Sequence, residues 1–303
     1  MDRPEQPHNR PARLPQWLRK NRGRSGLHCL KATLRHAGLS SVCEEARCPN
    51  ISECFRKPTA TFLILGNTCT RRCAFCSVAK GSPPPVDRNE PALLAQAAND
   101  MGLTHAVVTS VTRDDLPDKG ASHFAATILA LKDLLPKCTI EILTPDFSGR
   151  KDLLEVVLKE KPDVFGHNVE TVSRLYPAIR PGANLGRSLG ILSTVKVLSP
   201  DTVVKSGFMV GLGESLSEIE GLLVALRDAG CDAVTIGQYL RPSRTQMDVV
   251  RYWEPEYYPD WSNLAKSLGI GYCIAGPLVR SSYRAKEVLE EIRAQGHHKI
   301  RYD

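Results

Sequence analysis

Six of the ten cysteines in this 303-residue chain fall between residues 43 and 76. The stretch "GNTCTRRCAFCSVAKG" (66–81) places Cys69, Cys73 and Cys76 at C-x3-C-x2-C, and "CEEARCPNISEC" (43–54) places Cys43, Cys48 and Cys54 at C-x4-C-x5-C. With no secretory leader in view, such clustering favours metal ligation over a disulfide framework. Three thiolates on one loop suit three irons of a cubane cluster, and the fourth iron then keeps an open position for a reactant. Zinc is the competing tenant. Structural zinc sites usually show paired C-x2-C knuckles, however, and only one such pair occurs here. The second triplet either completes a site shared with the first or holds a second cluster with its own missing ligand, and its different spacing fits the second cluster better. A metal there would also organise the proline- and charge-rich residues 1–60, which show little hydrophobic period.

The elements that must position these groups alternate from residue 59 onward. Short apolar runs read as buried strands: "TATFLILG" (59–66), "HAVVTS" (105–110), "TIEILT" (139–144), "DVFGHN" (163–168), "VVKSGFMVG" (203–211) and "DAVTIGQ" (232–238), with "IGYCIAG" (270–276) as a candidate seventh. Segments of helical spacing lie between them, at 91–102, 121–135, 150–161, 185–198 and 215–230. This alternation predicts an α/β fold of parallel βαβ units, closer to a partial (β/α)6-type TIM barrel than to an open sheet. In such barrels the chemistry sits on loops at the carboxyl ends of strands. The first triplet follows the first strand directly. Arg113, Asp114 and Asp115 follow the second, Asn168 and Glu170 the fourth, Glu214 the fifth, and Gln238 and Arg241 the sixth.

C-x3-C-x2-C with Phe75 before the last cysteine, directly after a first strand, resembles the radical S-adenosylmethionine superfamily. The pair of triplets resembles one family within it, lipoyl synthase. So do "CPNISECF" (48–55), "TSVTRDDLPDKGA" (109–121), "HNVETV" (167–172), "KSGFMVGLGE" (205–214), "TIGQYLRPS" (235–243) and "AGPLVRSSY" (275–283). The matches run in order over nearly the whole chain; the first forty residues show little that corresponds.

The resemblance implies radical insertion of two sulfur atoms, at C6 and C8 of an octanoyl chain linked to a carrier lysine. It implies two [4Fe-4S] clusters and S-adenosylmethionine, with an auxiliary cluster as sulfur donor. Cys69, Cys73 and Cys76 would hold the radical cluster; Cys43, Cys48, Cys54 and Ser282 of the R-S-S-Y motif would hold the auxiliary one. Read without the resemblance, Ser281 or Ser282 is a helix N-cap for "YRAKEVLEEIRAQG". Implied cofactor contacts are Arg113 and Asp114 for the methionine amino group, Asn168 and Glu170 for the ribose, and Lys205 or Arg187 for the carboxylate. "GFMVGLGE" (207–214), with Met209 and Glu214, would face the adenine, Gln238 would add a strand-end contact, and Phe75 would pack beside the adenine. The implied partners are octanoylated lipoyl domains of 2-oxoacid dehydrogenase complexes or the glycine-cleavage carrier protein, with a ferredoxin- or flavodoxin-type electron donor. The expected domains are 1–58, carrying the auxiliary cysteines, 59–276, the barrel, and 277–303, closing the auxiliary site.

Composition bounds the alternatives. No apolar run reaches membrane-spanning length, and the N-terminal segment has basic residues but no apolar core, so the cytoplasm is expected and no membrane partner. The net charge of +7 suits an acidic protein partner as well as nucleic acid. A tRNA methylthiotransferase is a competing two-cluster enzyme, but no RNA-binding barrel follows the core, so no nucleic-acid partner is expected. A ferredoxin-like carrier or zinc scaffold is a competing non-enzyme, but carriers are small and their clusters fully ligated. His297, His298 and Cys273 read as structural or surface residues, and Cys29, Cys138 and Cys231 as small buried hydrophobes.

Overall fold

Apolar runs rich in β-branched residues, covered on both faces, are what parallel strands require. In the computed structural model, which describes residues 14–19, 38–54 and 59–295 without the Ser52 and Cys54 side chains, each expected run forms one. Cys29, the Cys54 side chain, His297 and His298 lie outside the described residues. The order is β1 (Ser40–Ser41), α1 (Val42–Glu45), α2 (Ile51–Cys54), β2 (Thr59–Ile64), α3 (Glu90–Asp100), β3 (His105–Ser110), α4 (Ala121–Leu134), β4 (Thr139–Leu143), α5 (Lys151–Leu158) and β5 (Val164–Gly166). Then come α6 (Tyr176–Ile179), α7 (Leu185–Leu198), β6 (Val203–Val210), α8 (Leu216–Asp228), β7 (Ala233–Gln238), α9 (Tyr257–Ser267), β8 (Tyr272–Gly276) and α10 (Ala285–Ala294).

The sheet follows chain order from β1 to β8, with β2 to β8 all parallel and β1 antiparallel on β2. Its first and last strands share no ladder among the described residues, so the barrel is partial. Seven parallel strands are present where six were expected with a seventh as candidate. The strand β1 and the two short helices before β2 were not anticipated. Ser41 caps α1 by accepting the Glu44 N–H, a local signal that was there in "SVCE". The helix α9 was also missed, because "EPEYYPDW" puts two prolines at its start; it buries Tyr258, Trp261 and Ala265 on one face.

Helix α10 closes the amino-terminal end of the barrel. Its Val288, Leu289 and Ile292 pack on Val164, Val203 and Ala233, the first residues of β5, β6 and β7. With Ala285 these make an i, i+3, i+4, i+7 stripe, the pattern a helix needs to bury one side. The carboxyl ends of the strands are left open to the loops.

Candidate active site

The loop after β2 carries the first triplet. Its backbone is tied to two other loops and to the end of α6: Thr70 N–H donates to Thr112 O at 3.1 Å, Met247 N–H to Ala74 O at 3.2 Å, and Ala74 N–H to Ile179 O at 2.9 Å. Cys69, Cys73 and Cys76 are half-buried free thiols. Cys69 Sγ accepts the N–H groups of Arg71 at 3.4 Å and Thr112 at 3.3 Å. Burial pushes the Cys76 thiol up to about 11, with the neighbouring thiols adding to the shift. Burial raises Cys73 too, against the opposing charge of Arg180.

Around Cys73 sits a second group. Asn168 Nδ2 donates to Glu170 Oε1 at 3.1 Å, and Arg180 donates to the Asn168 carbonyl at 2.9 Å. Burial raises the Glu170 carboxyl and Arg180 opposes it. Glu170 holds φ at 66°, a left-handed conformation that costs a non-glycine residue energy and collects at functional sites. Arg180 is buried, yet its Nε has no partner among the described residues. Phe75 and Met209 pack together with Ile179, Leu212 and Tyr239, an apolar wall beside these groups.

Several of the residues expected to contact the cofactor have partners within the chain. Lys205 is 2% exposed and gives its ammonium to both oxygens of Glu141, at 2.8 and 3.1 Å, in the lower half of the sheet near His105. Two of its three N–H donors are taken there. Arg187 is held by Asp146 and Gly182 O. Arg113 is buried on Asp115 and Leu65 O, and Asp114 takes the Arg71 guanidinium. Glu214 folds its own loop by accepting the N–H groups of Gly211 and Leu212 and the Trp253 indole. Gln238 is fully buried, donating to Arg251 O and accepting from Trp253 N–H and Tyr258 O–H.

The second triplet lies elsewhere. Cys43, Cys48 and Ser282 line one cavity with Thr59, Ala60 and Thr61, the first residues of β2. Cys43 and Cys48 thus lie by the start of this strand, while Cys69, Cys73 and Cys76 follow its end. Ser77, next to Cys76, bridges them by donating to the Glu45 carbonyl. The segment bearing Ser282 is pinned across the sheet by Asn50 Nδ2 to Leu278 O at 2.6 Å and Tyr283 O–H to Glu53 at 2.9 Å. The N-cap alternative is overturned: α10 starts at Ala285, and its capping position is Arg284, at φ 54° with no side-chain cap bond.

Residues 63–226 match the radical SAM superfamily. The chain is 50% identical over 280 residues to the lipoyl synthase of Rubrobacter xylanophilus, covering 92% of this chain and 87% of that one. It is 51% identical over 273 residues to the lipoyl synthase of Caldanaerobacter subterraneus subsp. tengcongensis, covering 90% and 96%. This chain belongs to the lipoyl synthase family. The crystal structure of Streptococcus suis SuiB bound to precursor peptide SuiA shares its fold, with TM-score 0.57 and 12% identity over 85% of this chain and 54% of that one.

Membership in the lipoyl synthase family implies an iron–sulfur cluster and S-adenosylmethionine, and the residues after β2 fit such a group. Three free thiols share one loop, two N–H donors point at one sulfur, and a buried cation with an unused donor lies beside another. Among the described residues no three His, Cys, Asp or Glu side chains gather on a single ion. A cubane instead binds each thiolate to a different iron. No helix of the described residues is long and apolar enough to cross a membrane. Sequence reasoning missed Arg71, Asp146 and Arg180, since nothing in their local spacing signals the partners they find.

Proposed function

We propose that this chain converts a protein-bound octanoyl group into a lipoyl group by inserting sulfur at C6 and C8. The observation that carries this reading is the pairing of a three-thiol loop at one end of β2 with a cavity lined by Cys43, Cys48 and Ser282 at the other. Cys69, Cys73 and Cys76 are assigned a [4Fe-4S] cluster. Cys43, Cys48, Cys54 and Ser282 are assigned a second one, which serves as the sulfur substrate. When bound, the first cluster and S-adenosylmethionine supply a 5′-deoxyadenosyl radical, which can take hydrogen from C–H bonds that no acid or base can activate.

The chain's own residues bind and orient. The unpartnered Nε and charge of Arg180 suit the methionine carboxylate, in place of Lys205 and Arg187. The linked Asn168 and Glu170 suit the ribose hydroxyls, and the wall of Phe75 and Met209 suits the adenine. A serine oxygen binds iron more weakly than a thiolate, which suits a cluster that must open to give up sulfur. The helix α10 keeps water from the amino-terminal end of the barrel. The partners are an octanoylated lipoyl domain of a 2-oxoacid dehydrogenase complex or the glycine-cleavage carrier protein, and a ferredoxin- or flavodoxin-type donor. The net charge of +7 would steer an acidic carrier. Cytoplasmic residence belongs to the same proposal, supported by a cysteine spacing that fits metal ligation and not the disulfide framework of an oxidising compartment.

The test is anaerobic turnover of the reduced, reconstituted chain with S-adenosylmethionine and an octanoyl-lysyl peptide. The expected products are 5′-deoxyadenosine and a peptide carrying two added sulfurs. Cofactor cleavage with no sulfur gain would reduce the chain to a radical enzyme of another substrate.

A further inference from the structure

We propose that Arg71 is a positioning residue. Clamped between Asp114 and Asp146, it fixes the backbone N–H that points at Cys69 and thereby sets the reduction potential of the cluster on that loop, an inference that rests on the functional reading above. Arg71 lies between two of the three cysteines, and its side chain is 10% exposed. It gives Nε to Asp114 Oδ2 at 2.8 Å and Nη2 to Asp114 Oδ1 at 3.1 Å. To Asp146 it gives Nη1 at 2.8 Å and Nη2 at 2.6 Å. These are two forked contacts on one planar group, a geometry that lysine cannot reproduce. The carboxylates come from different strand ends, Asp114 after β3 and Asp146 after β4.

Asp146 is wholly buried and takes two more donors, Arg187 Nη1 at 3.1 Å and Ser148 N–H at 3.1 Å. Burial by itself would raise its carboxyl, but the Arg71 bond and charge outweigh this and hold it well below the usual carboxylate range. Two arginines and two aspartates cancel in charge, so the group projects little net field toward the loop. What remains is orientation. The Arg71 and Thr112 N–H groups both reach Cys69 Sγ, and Thr70 Oγ1 links that stretch to Thr112 O and to the Asp114 N–H. Hydrogen bonds to ligand sulfur stabilise the more negative, reduced cluster and so raise its potential. A buried ion pair is weak evidence for stability, whereas fixing a geometry is a use for which it is suited.

The experiment is potentiometric titration followed by electron paramagnetic resonance, on the full chain reconstituted with iron and sulfide. The relevant signal is the one lost in Cys76→Ala. Arg71→Lys keeps the charge and loses the fork; Asp146→Asn removes a negative charge and loosens the clamp. Positioning predicts that both variants shift to more negative potential by at least about tenfold in the one-electron equilibrium, about 59 mV. An unchanged potential in Arg71→Lys overturns the proposal. So does a positive shift in Asp146→Asn, which charge alone would produce. Hydrogen exchange on the iron-free full chain gives a second reading, also in Asp114→Asn: peptides spanning 66–81 should exchange faster in all three variants, and unchanged protection overturns the clamp. If the wild-type chain forms no cluster on this loop, the functional reading fails, while the exchange data still decide whether Arg71 orders it.

Discussion

Ser282 lies three residues before α10 and lines the cavity with Cys43 and Cys48. Ser282→Ala should leave S-adenosylmethionine cleavage near the wild-type rate and lower sulfur insertion by on the order of tenfold or more, about 1.4 kcal/mol of barrier. Both products can be followed in one assay, and full lipoyl formation would remove the serine from the reaction. Arg180→Met should weaken S-adenosylmethionine binding by roughly ten- to a hundredfold, since bonds to charged groups contribute about 1.5–3 kcal/mol. Iron content should not change, and equilibrium binding to the reconstituted chain checks it. His167 is buried between Thr144 O at 2.9 Å and Ser188 Oγ at 3.0 Å. Burial, helped by the charge of Arg180, lowers it to about 4. The unfolded chain binds this proton first, so its contribution is present above about pH 6.5 and is lost as pH falls toward 4. His167→Gln should flatten the fall in denaturation midpoint across that window.

At the scale of elements, the R-S-S-Y segment depends on a glycine in β7. A Cβ on Gly237 would lie 2.1 Å from the Val279 carbonyl oxygen, so the strand and the segment can approach this closely only without a side chain. Gly237→Ala should cost about 1–3 kcal/mol by overpacking. It should also displace Ser282 and reduce the iron retained, which denaturation midpoints and iron analysis measure together. The strands and most helices were legible because their periods are local. The helix α7 (Leu185–Leu198) begins and ends where the spacing predicted. The cysteine loops were legible for the same reason. Which end of a strand a residue serves was not. Lys205 and Gln238 lie on correctly read strands, but burial and partners 64 and 15 residues away fix their roles. Arg71 meets Asp146 across 75 residues, a pairing that only the folded barrel creates.

For the whole molecule, the account rests on two clusters addressed from one strand. The cavity of Cys43 and Cys48 lies at the first residues of β2 and the loop of the first triplet follows its last, with the Ser77–Glu45 bond linking the two segments. The barrel between them is plugged below by α10 and bordered above by the loops that fasten Cys69, Cys73 and Cys76. Cys43 and Cys48 line a cavity at the start of β2 and the first triplet follows its end, the arrangement that two separate clusters would use. The most direct test is anaerobic iron and sulfide analysis with Mössbauer spectroscopy, on the intact chain and on a Cys43/Cys48/Cys54→Ala variant. About eight irons falling to about four is the result expected for two separate cubane clusters. Four or fewer in both proteins would contradict it and leave a one-cluster radical enzyme without its own sulfur source.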